Sequence, residues 1–213
     1  MKRLKKGLFI TFEGGEGCGK STHVKLLAKY LSGSGYKVVK TYEPGATKVG
    51  AMIRKMLLSG KEKLDPRSEI LLFGVDRAEH VSRVVKPAFE AKKIVISDRF
   101  IDSTIAYQLG GRKLSRGFVE FVNAVTSFGV APNITLLLDI SYKEGMLRVG
   151  RRAKKDQFEK EKKNFHDRVR NKYLEIARKD PKRVKVISTK GRIEDTQKRI
   201  RKIIDAVLVK HEK

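Results

Sequence analysis

The chain has 213 residues, 40% hydrophobic and 34% charged, proportions of a soluble globular protein rather than a fibrous or disordered one. Lys and Arg number 49 against 24 Asp and Glu, a formal charge of +25; such a surface attracts polyanions, but charge alone reads no nucleic-acid sequence. No run of about 18 apolar residues is present to span a bilayer, and the single cysteine, Cys18, excludes an intrachain disulfide framework and a cysteine metal cluster.

The length suits one domain, and neither a Pro/Gly/Ser linker nor an internal repeat divides it. A single domain over 1–213 is expected. The opening MKRLKKGLFITF imitates the basic region of a secretory leader. Its apolar stretch Leu8–Phe12 is too short, and Glu13 and Gly14 end it without a small-residue cleavage site. The expected location is the cytoplasm.

In chain order, short apolar runs fall at Leu8–Phe12, Val38–Thr41, Ile94–Ser97, Ile134–Leu138 and Val184–Ile187. Being nearly continuous rather than alternating, they predict strands buried on both faces. Helical periodicity lies between them. Val24, Leu27, Ala28 and Leu31 repeat at i, i+3, i+4, i+7, as do Phe118, Phe121, Val122 and Val125, and Ile200, Ile203, Ile204 and Val207. Asp65-Pro66 predicts a helix start, with proline in the first turn. Strands alternating with helices imply βαβ units. The expected fold is therefore α/β, a five-stranded parallel sheet with helices on both faces. In such a sheet, ligands bind at the carboxyl ends of the strands.

The first strand runs into Gly14-Gly15-Glu16-Gly17-Cys18-Gly19-Lys20-Ser21, which matches G-x-x-x-x-G-K-S/T. Glycines let the backbone wrap phosphates, and successive N–H groups converge on the positive end of the next helix. Gly14 through Thr22 thus form the expected ATP cradle in a P-loop NTPase-like, three-layer fold. Lys20 is expected on the β- and γ-phosphates and the Ser21 hydroxyl on Mg²⁺. Cys18 reads as a small residue that suits the loop; the sharper alternative is a thiol whose alkylation blocks ATP.

Asp98 and Arg99 follow the third strand, where a carboxylate can hold Mg²⁺ and a guanidinium can grip phosphate bidentately; an ordinary ion pair is the plain alternative. Phe73 and Arg77 stand four apart on a predicted helix, hence on one face. They suit a pyrimidine, although Phe73 alone reads as core. Thr104 and Gln108 share a helical face in the same way, beside Ser103 and Tyr107; capping or surface roles are the alternative. Glu16 is an acid placed among phosphates.

The segments FEGGEGCGKST at 12–22, EPG at 43–45, LLFGVDRAEH at 71–80, VISDRF at 95–100, DSTIAYQ at 102–108, APNITLLLDIS at 131–141 and RVGRRAKKDQFE at 148–159 resemble, in order and spacing, the thymidylate kinase family over nearly the whole chain. That resemblance implies transfer of the γ-phosphoryl of ATP to dTMP, giving ADP and dTDP, with ATP and Mg²⁺ as cofactors and a homodimer as the assembly. It places Asp98 and Arg99 at the acceptor phosphate, and Phe73, Arg77, Ser103, Thr104 and Gln108 on the thymine base. Tyr107 goes beneath the deoxyribose, where a 2′-hydroxyl would collide; Glu16 goes near the sugar hydroxyl, and Glu43 at the acceptor site. The segment at about 143–160 resembles the family's mobile lid. Some members carry an arginine inside the P-loop; here that slot is Gly17, so the lid is expected to supply the catalytic cation, from Arg152 first, Arg148 second, with Arg151 beside them. Two departures stand out: Tyr42 precedes EPG where the family often has Arg, and Asp156-Gln157 replaces Asp-Arg. Lys48, Arg54, Lys154 or Lys155 are the cations near enough to compensate. The rivals are a kinase for another monophosphate, a nucleic-acid-associated P-loop ATPase suggested by the charge, and a catalytically poor regulatory homologue suggested by Tyr42 and Gln157. Nucleic acid is expected to bind non-specifically, if at all.

Overall fold

The computed structural model describes residues 2–59, 64–150 and 156–212. Five strands, β1 (Leu8–Glu13), β2 (Val38–Tyr42), β3 (Ile94–Asp98), β4 (Ile134–Asp139) and β5 (Val184–Ser188), form one sheet in the order β2-β3-β1-β4-β5. Every pairing is parallel, which requires helical crossovers between strands. Each strand runs one residue past its apolar run, into Glu13, Tyr42, Asp98, Asp139 and Ser188. Those polar end residues gather at the carboxyl edge.

Alternation along β1 sorts the two faces. Leu8, Ile10 and Phe12 join Val24, Leu27 and Leu31 of α1 (Lys20–Gly33) and Ile200, Ile204 and Leu208 of the C-terminal helix Ile193–Val209. Phe9 faces the other way, against Val81, Val85 and Phe100. Glu13 lies on that second face, an acid inside the protein. Burying each of these large apolar side chains contributes on the order of 2 kcal/mol.

After β2 come α2 (Lys48–Leu58) and α3 (Pro66–His80). Asp65 caps α3, its carboxylate accepting the Arg67 N–H, with Pro66 in the first turn as expected. The helix does not stop at His80: it continues through a π-helical stretch, Val81–Val85, into α4 (Lys86–Glu90). After β3, α5 (Ile101–Thr104) likewise widens into a π-helical stretch over Ile105–Gly111, a form concentrated at functional sites. The remaining helices are α6 (Arg116–Ser127), α7 (Tyr142–Val149), α8 (Lys163–Lys179) and α9 (Ile193–Val209).

The α6 periodicity marks a helix, and only part of its apolar face is core. Val119 and Val122 are buried, but Phe121 and Val125 are 65% and 54% exposed. The apolar stripe is wider than the core it covers.

Candidate active site

The loop between β1 and α1 folds around its own glycines. Gly14, Gly17 and Gly19 take φ of 139°, 70° and 90°, left-handed backbone that other residues rarely adopt. Gly17 also lies so close to α7 that a Cβ there would stand 2.1 Å from the Gly145 carbonyl oxygen. An arginine at position 17 would be strained and would strike backbone. A cation comes instead from α7 itself: Arg148 donates to the Gly17 carbonyl at 3.4 Å and to Thr189 O at 2.9 Å.

The Lys20 amine donates to Gly14 O (3.0 Å) and Gly15 O (2.9 Å) and stands 3.5 Å from Cys18 Sγ. Cys18 itself is fully buried in the core, and burial pushes its thiol above the ordinary range. That environment favours the unreactive thiol over the thiolate. Ser21 Oγ donates to Asp98 Oδ2 at 2.7 Å. Parallel β1 and β3 bring the cradle's hydroxyl and the strand-end carboxylate together.

Arg99 sits at the centre. Its φ of 75° is left-handed, a strained setting for a side-chain-bearing residue, typical of functional positions. The Arg99 N–H to Phe12 O (2.9 Å) and Ser97 Oγ to Arg99 O (2.8 Å) hold it there. Its guanidinium donates to Glu16 Oε1 (2.6 Å), Tyr107 Oη (3.2 Å) and Ser103 Oγ (3.3 Å), and lies 4.9 Å from the Tyr107 ring centre. Tyr107 also donates to Glu16 Oε1, at 2.7 Å. Burial raises the Glu16 pKa, but Arg99, Lys20 and the Tyr107 hydroxyl outweigh it and hold the carboxyl down at about 2.

Behind this group lies Glu13, which the sequence reading did not single out. Oε1 accepts the Phe100 N–H at 2.7 Å; Oε2 accepts Ser103 Oγ at 2.5 Å and Tyr173 Oη at 2.9 Å. Burial first, then Asp102, raise its pKa to about 7, against the pull of Ser103, Arg99 and Tyr173. The folded chain therefore retains a proton that the unfolded chain has released. Glu13's contribution to stability is full below about pH 4.5 and is lost as pH rises through about 7. Glu13→Gln keeps the hydrogen bonds, since the Ser103 and Tyr173 oxygens can accept from the amide. The expected result is that wild type loses stability relative to Glu13→Gln between pH 4.5 and 8, by up to ~3 kcal/mol. Thermal melts of both proteins across that range check it; parallel curves would refute it.

The base-reading candidates line the same cavity of about 750 Å³. Phe73, half-buried on α3, packs 6.0 Å from Phe158, which stands 5.7 Å from Tyr107. Phe158 thus completes an aromatic wall with Phe73 and Tyr107. Arg77 is held from behind: Nε and Nη2 donate to Glu43 Oε2 (3.0 and 2.9 Å), Nη1 to Asn123 Oδ1 (2.6 Å). The other Glu43 oxygen lies 2.8 Å from His80 Nδ1. Burial opposes ionisation of Glu43, but Arg77 and His80 keep its pKa low. Glu43 thus lines the cavity while holding Arg77 and His80 in place. Ser103, Thr104, Tyr107 and Gln108 all reach the cavity, and Gln108 Nε2 donates to Glu69 Oε1 at 3.1 Å.

Of the two candidate cations among the described residues, Lys48 and Arg54, it is Arg54 that lines the cavity, 5.8 Å from the Tyr42 ring centre, donating to Pro44 O at 2.7 Å. Gln157 turns its amide to Glu69 Oε2 at 3.4 Å. Gly14 and Gly15 back a small adjoining recess with Glu16 rather than the main cavity. Arg151, Arg152, Lys154 and Lys155 lie outside the described residues. His23, Thr189, Arg192 and Thr196 also line the cavity; no motif marked them, because His23 lies one residue past the matched loop segment, on α1, and the ends of β5 and α9 reach the site only through the fold.

Known proteins share this sequence and fold. The family model for thymidylate kinase matches residues 12–200. The thymidylate kinase of Leifsonia xyli is 42% identical over 202 residues, covering 94% of this chain and 96% of the relative. That of Kosmotoga olearia is 44% identical over 180 residues, covering 84% and 86%. The crystal structure of thymidylate kinase from Ehrlichia chaffeensis superposes with a TM-score of 0.78 at 36% identity, covering 94% of this chain and 99% of that one. Cradle, strand-end Asp98-Arg99 and aromatic wall stand on a fold and a sequence shared nearly end to end, and the chain belongs to the thymidylate kinase family.

Proposed function

We infer that the chain is a thymidylate kinase, moving the γ-phosphoryl of ATP to dTMP and releasing ADP and dTDP. The observation that carries this is one cavity with Lys20 and Ser21 at one end and Arg99, Arg77 and the Phe73–Phe158–Tyr107 wall at the other. ATP lies in the cradle with Lys20 on its terminal phosphates. The monophosphate lies opposite, its phosphate on Arg99 and its base against Phe73, where Arg77 donates to a carbonyl oxygen beside Thr104 and Gln108. Glu43 and Asn123 fix the guanidinium that does so. A monophosphate oxygen is already ionised near neutral pH, so positioning and charge neutralisation supply the catalysis.

Ser21 and Asp98 suit Mg²⁺: two adjacent hard oxygen donors match an ion that keeps waters and substrate phosphates as its other ligands. Bound there, Mg²⁺ would neutralise phosphate charge. Arg148 supplies a cation beside Gly17, and the lid at about 143–160 completes the site by excluding water, which would otherwise accept the phosphoryl group.

The chain is proposed as a single kinase domain working in the cytoplasm; among the described residues no helix is long and apolar enough to cross a membrane. Exposed apolar residues on three adjoining helices, Met52 and Met56 on α2, Leu71 and Val75 on α3, Phe121 and Val125 on α6, support a homodimer through that surface. Sedimentation is expected to give twice the chain mass, and Phe121→Lys with Val75→Lys a monomer. A monomeric wild type would end the dimer reading.

The test of function is an ADP-release assay with Mg·ATP and a panel of monophosphates, with and without DNA. Turnover of dTMP well above UMP, CMP, GMP and AMP is expected. Preference for another monophosphate would overturn the pocket assignment, and turnover only with DNA would overturn the kinase reading.

A further inference from the structure

His23 lies one turn into α1, buried, with its imidazole edge over Gly19: its Nε2 is 3.7 Å from where a Gly19 Cβ would stand. Its other ring nitrogen, Nδ1, is 2.8 Å from Gln197 Nε2 on α9, and the same Gln197 nitrogen is 3.1 Å from the His23 backbone carbonyl oxygen. These two contacts together fix where the proton is. A backbone carbonyl only accepts, so the Gln197 group facing it is the NH₂ rather than the oxygen. That NH₂ also meets Nδ1, which therefore accepts. The ring proton then sits on Nε2. Gln197 Oε1 is left buried without a partner, a cost the alternative amide orientation would replace with two oxygens facing each other. The result is an N–H donor turned toward the nucleotide cavity, which His23 lines together with Arg148 and Thr196.

We propose that His23 contacts the donor nucleotide, its Nε2–H donating to an acceptor oxygen on the sugar–α-phosphate part of ATP, with Gln197 as the positioning residue that fixes the tautomer. The placement supports that part of the ligand: the Lys20 amine turns back to the Gly14 and Gly15 carbonyls, at the terminal phosphates, while His23 lies further along α1 and lines the cavity with Thr189 and Thr196. This rests on the reading that the loop holds ATP.

The first experiment observes the His23 ring nitrogens by ¹⁵N–¹H correlation spectroscopy of the full chain. The expected free-state pattern is a protonated Nε2 and an unprotonated Nδ1. ADP is expected to shift Nε2, and inorganic pyrophosphate, which fills only the loop, is not. If ADP shifts the Gly19 and Lys20 amides but leaves His23 Nε2 unmoved, the proposal falls and the kinase reading stands. If ADP moves neither, both fall. A proton found on Nδ1 overturns the tautomer argument directly. Kinetics give the second arm. His23→Leu is expected to raise the KM for ATP about 10-fold, with the KM for dTMP changed less than about twofold. His23→Gln, whose amide carries an acceptor for Gln197 and a donor for the nucleotide, is expected to recover most of that loss. Equal effects on both KM values, or no recovery by Gln, would mark His23 as a packing residue only.

Discussion

Lys20→Ala is expected to lower kcat/KM by about 10³-fold or more while leaving a folded protein. The size follows from what the amine does in a cradle built of neutral backbone. Removing one neutral donor from a transition-state site costs about 10²–10³-fold, and Lys20 brings a full charge to the phosphates on which negative charge accumulates. Its effect on folding is small for an equally specific reason. Its hydrogen-bond partners are Gly14 O, Gly15 O and Cys18 Sγ. Glu16, which Lys20 helps hold ionised, keeps its hydrogen bonds to Arg99 and Tyr107 when the amine goes, and water from the cavity that Lys20 lines can reach the carbonyls it leaves. A stability change within about 1 kcal/mol is expected. Turnover, ATP binding and thermal melts of the variant decide the matter; wild-type turnover would end the proposed mechanism.

The sequence made the fold legible because both layers wrote themselves in apolar periodicity. All five strands were visible, each one residue short at its carboxyl end. The shortfall is physical: an apolar-run criterion stops where the strand turns polar, and in a parallel sheet that is where the site begins. Asp98 was legible from its place at the end of the third apolar run and from the Arg99 that follows it. Glu13 and Asp139 had no such neighbour, and Glu13 emerged once β1 placed it on the face shared with Tyr173, 160 positions away. The helix α6 shows what periodicity leaves open. Phe121 and Val125 keep a helical period with Phe118 and Val122, and periodicity does not distinguish a core face from an outward apolar surface. Likewise, nothing in the spacing of Glu43 announced that its carboxylate would be spent holding Arg77 and His80. The motifs named part of the cavity wall; the rest of it, and the residues behind it, came from topology.

Arg99 is where those two layers meet, and its removal is expected to separate catalysis from stability. Arg99→Ala is expected to weaken dTMP binding and lower kcat/KM by about 10³-fold, because a bidentate cation on the acceptor phosphate is lost, with the KM for ATP little changed. It also strands Glu16, which Arg99 holds at 2.6 Å with side chains 18% and 13% exposed. Removing one partner of a buried pair costs about 3–5 kcal/mol, and this partial exposure places the expected loss at the lower end. Adding Glu16→Gln removes the stranded charge, so the double variant is expected to regain most of the stability and none of the turnover. Arg99→Gly offers a control on the backbone: glycine tolerates the φ of 75°, so it is expected to be more stable than Arg99→Ala by about 1 kcal/mol and just as inactive. Urea denaturation and dTMP titrations of the four proteins distinguish the outcomes. Should the double variant recover turnover along with stability, Arg99 serves only to neutralise Glu16, and the acceptor phosphate must be held by another cation in the cavity, of which Arg54 beside Tyr42 is the first to test.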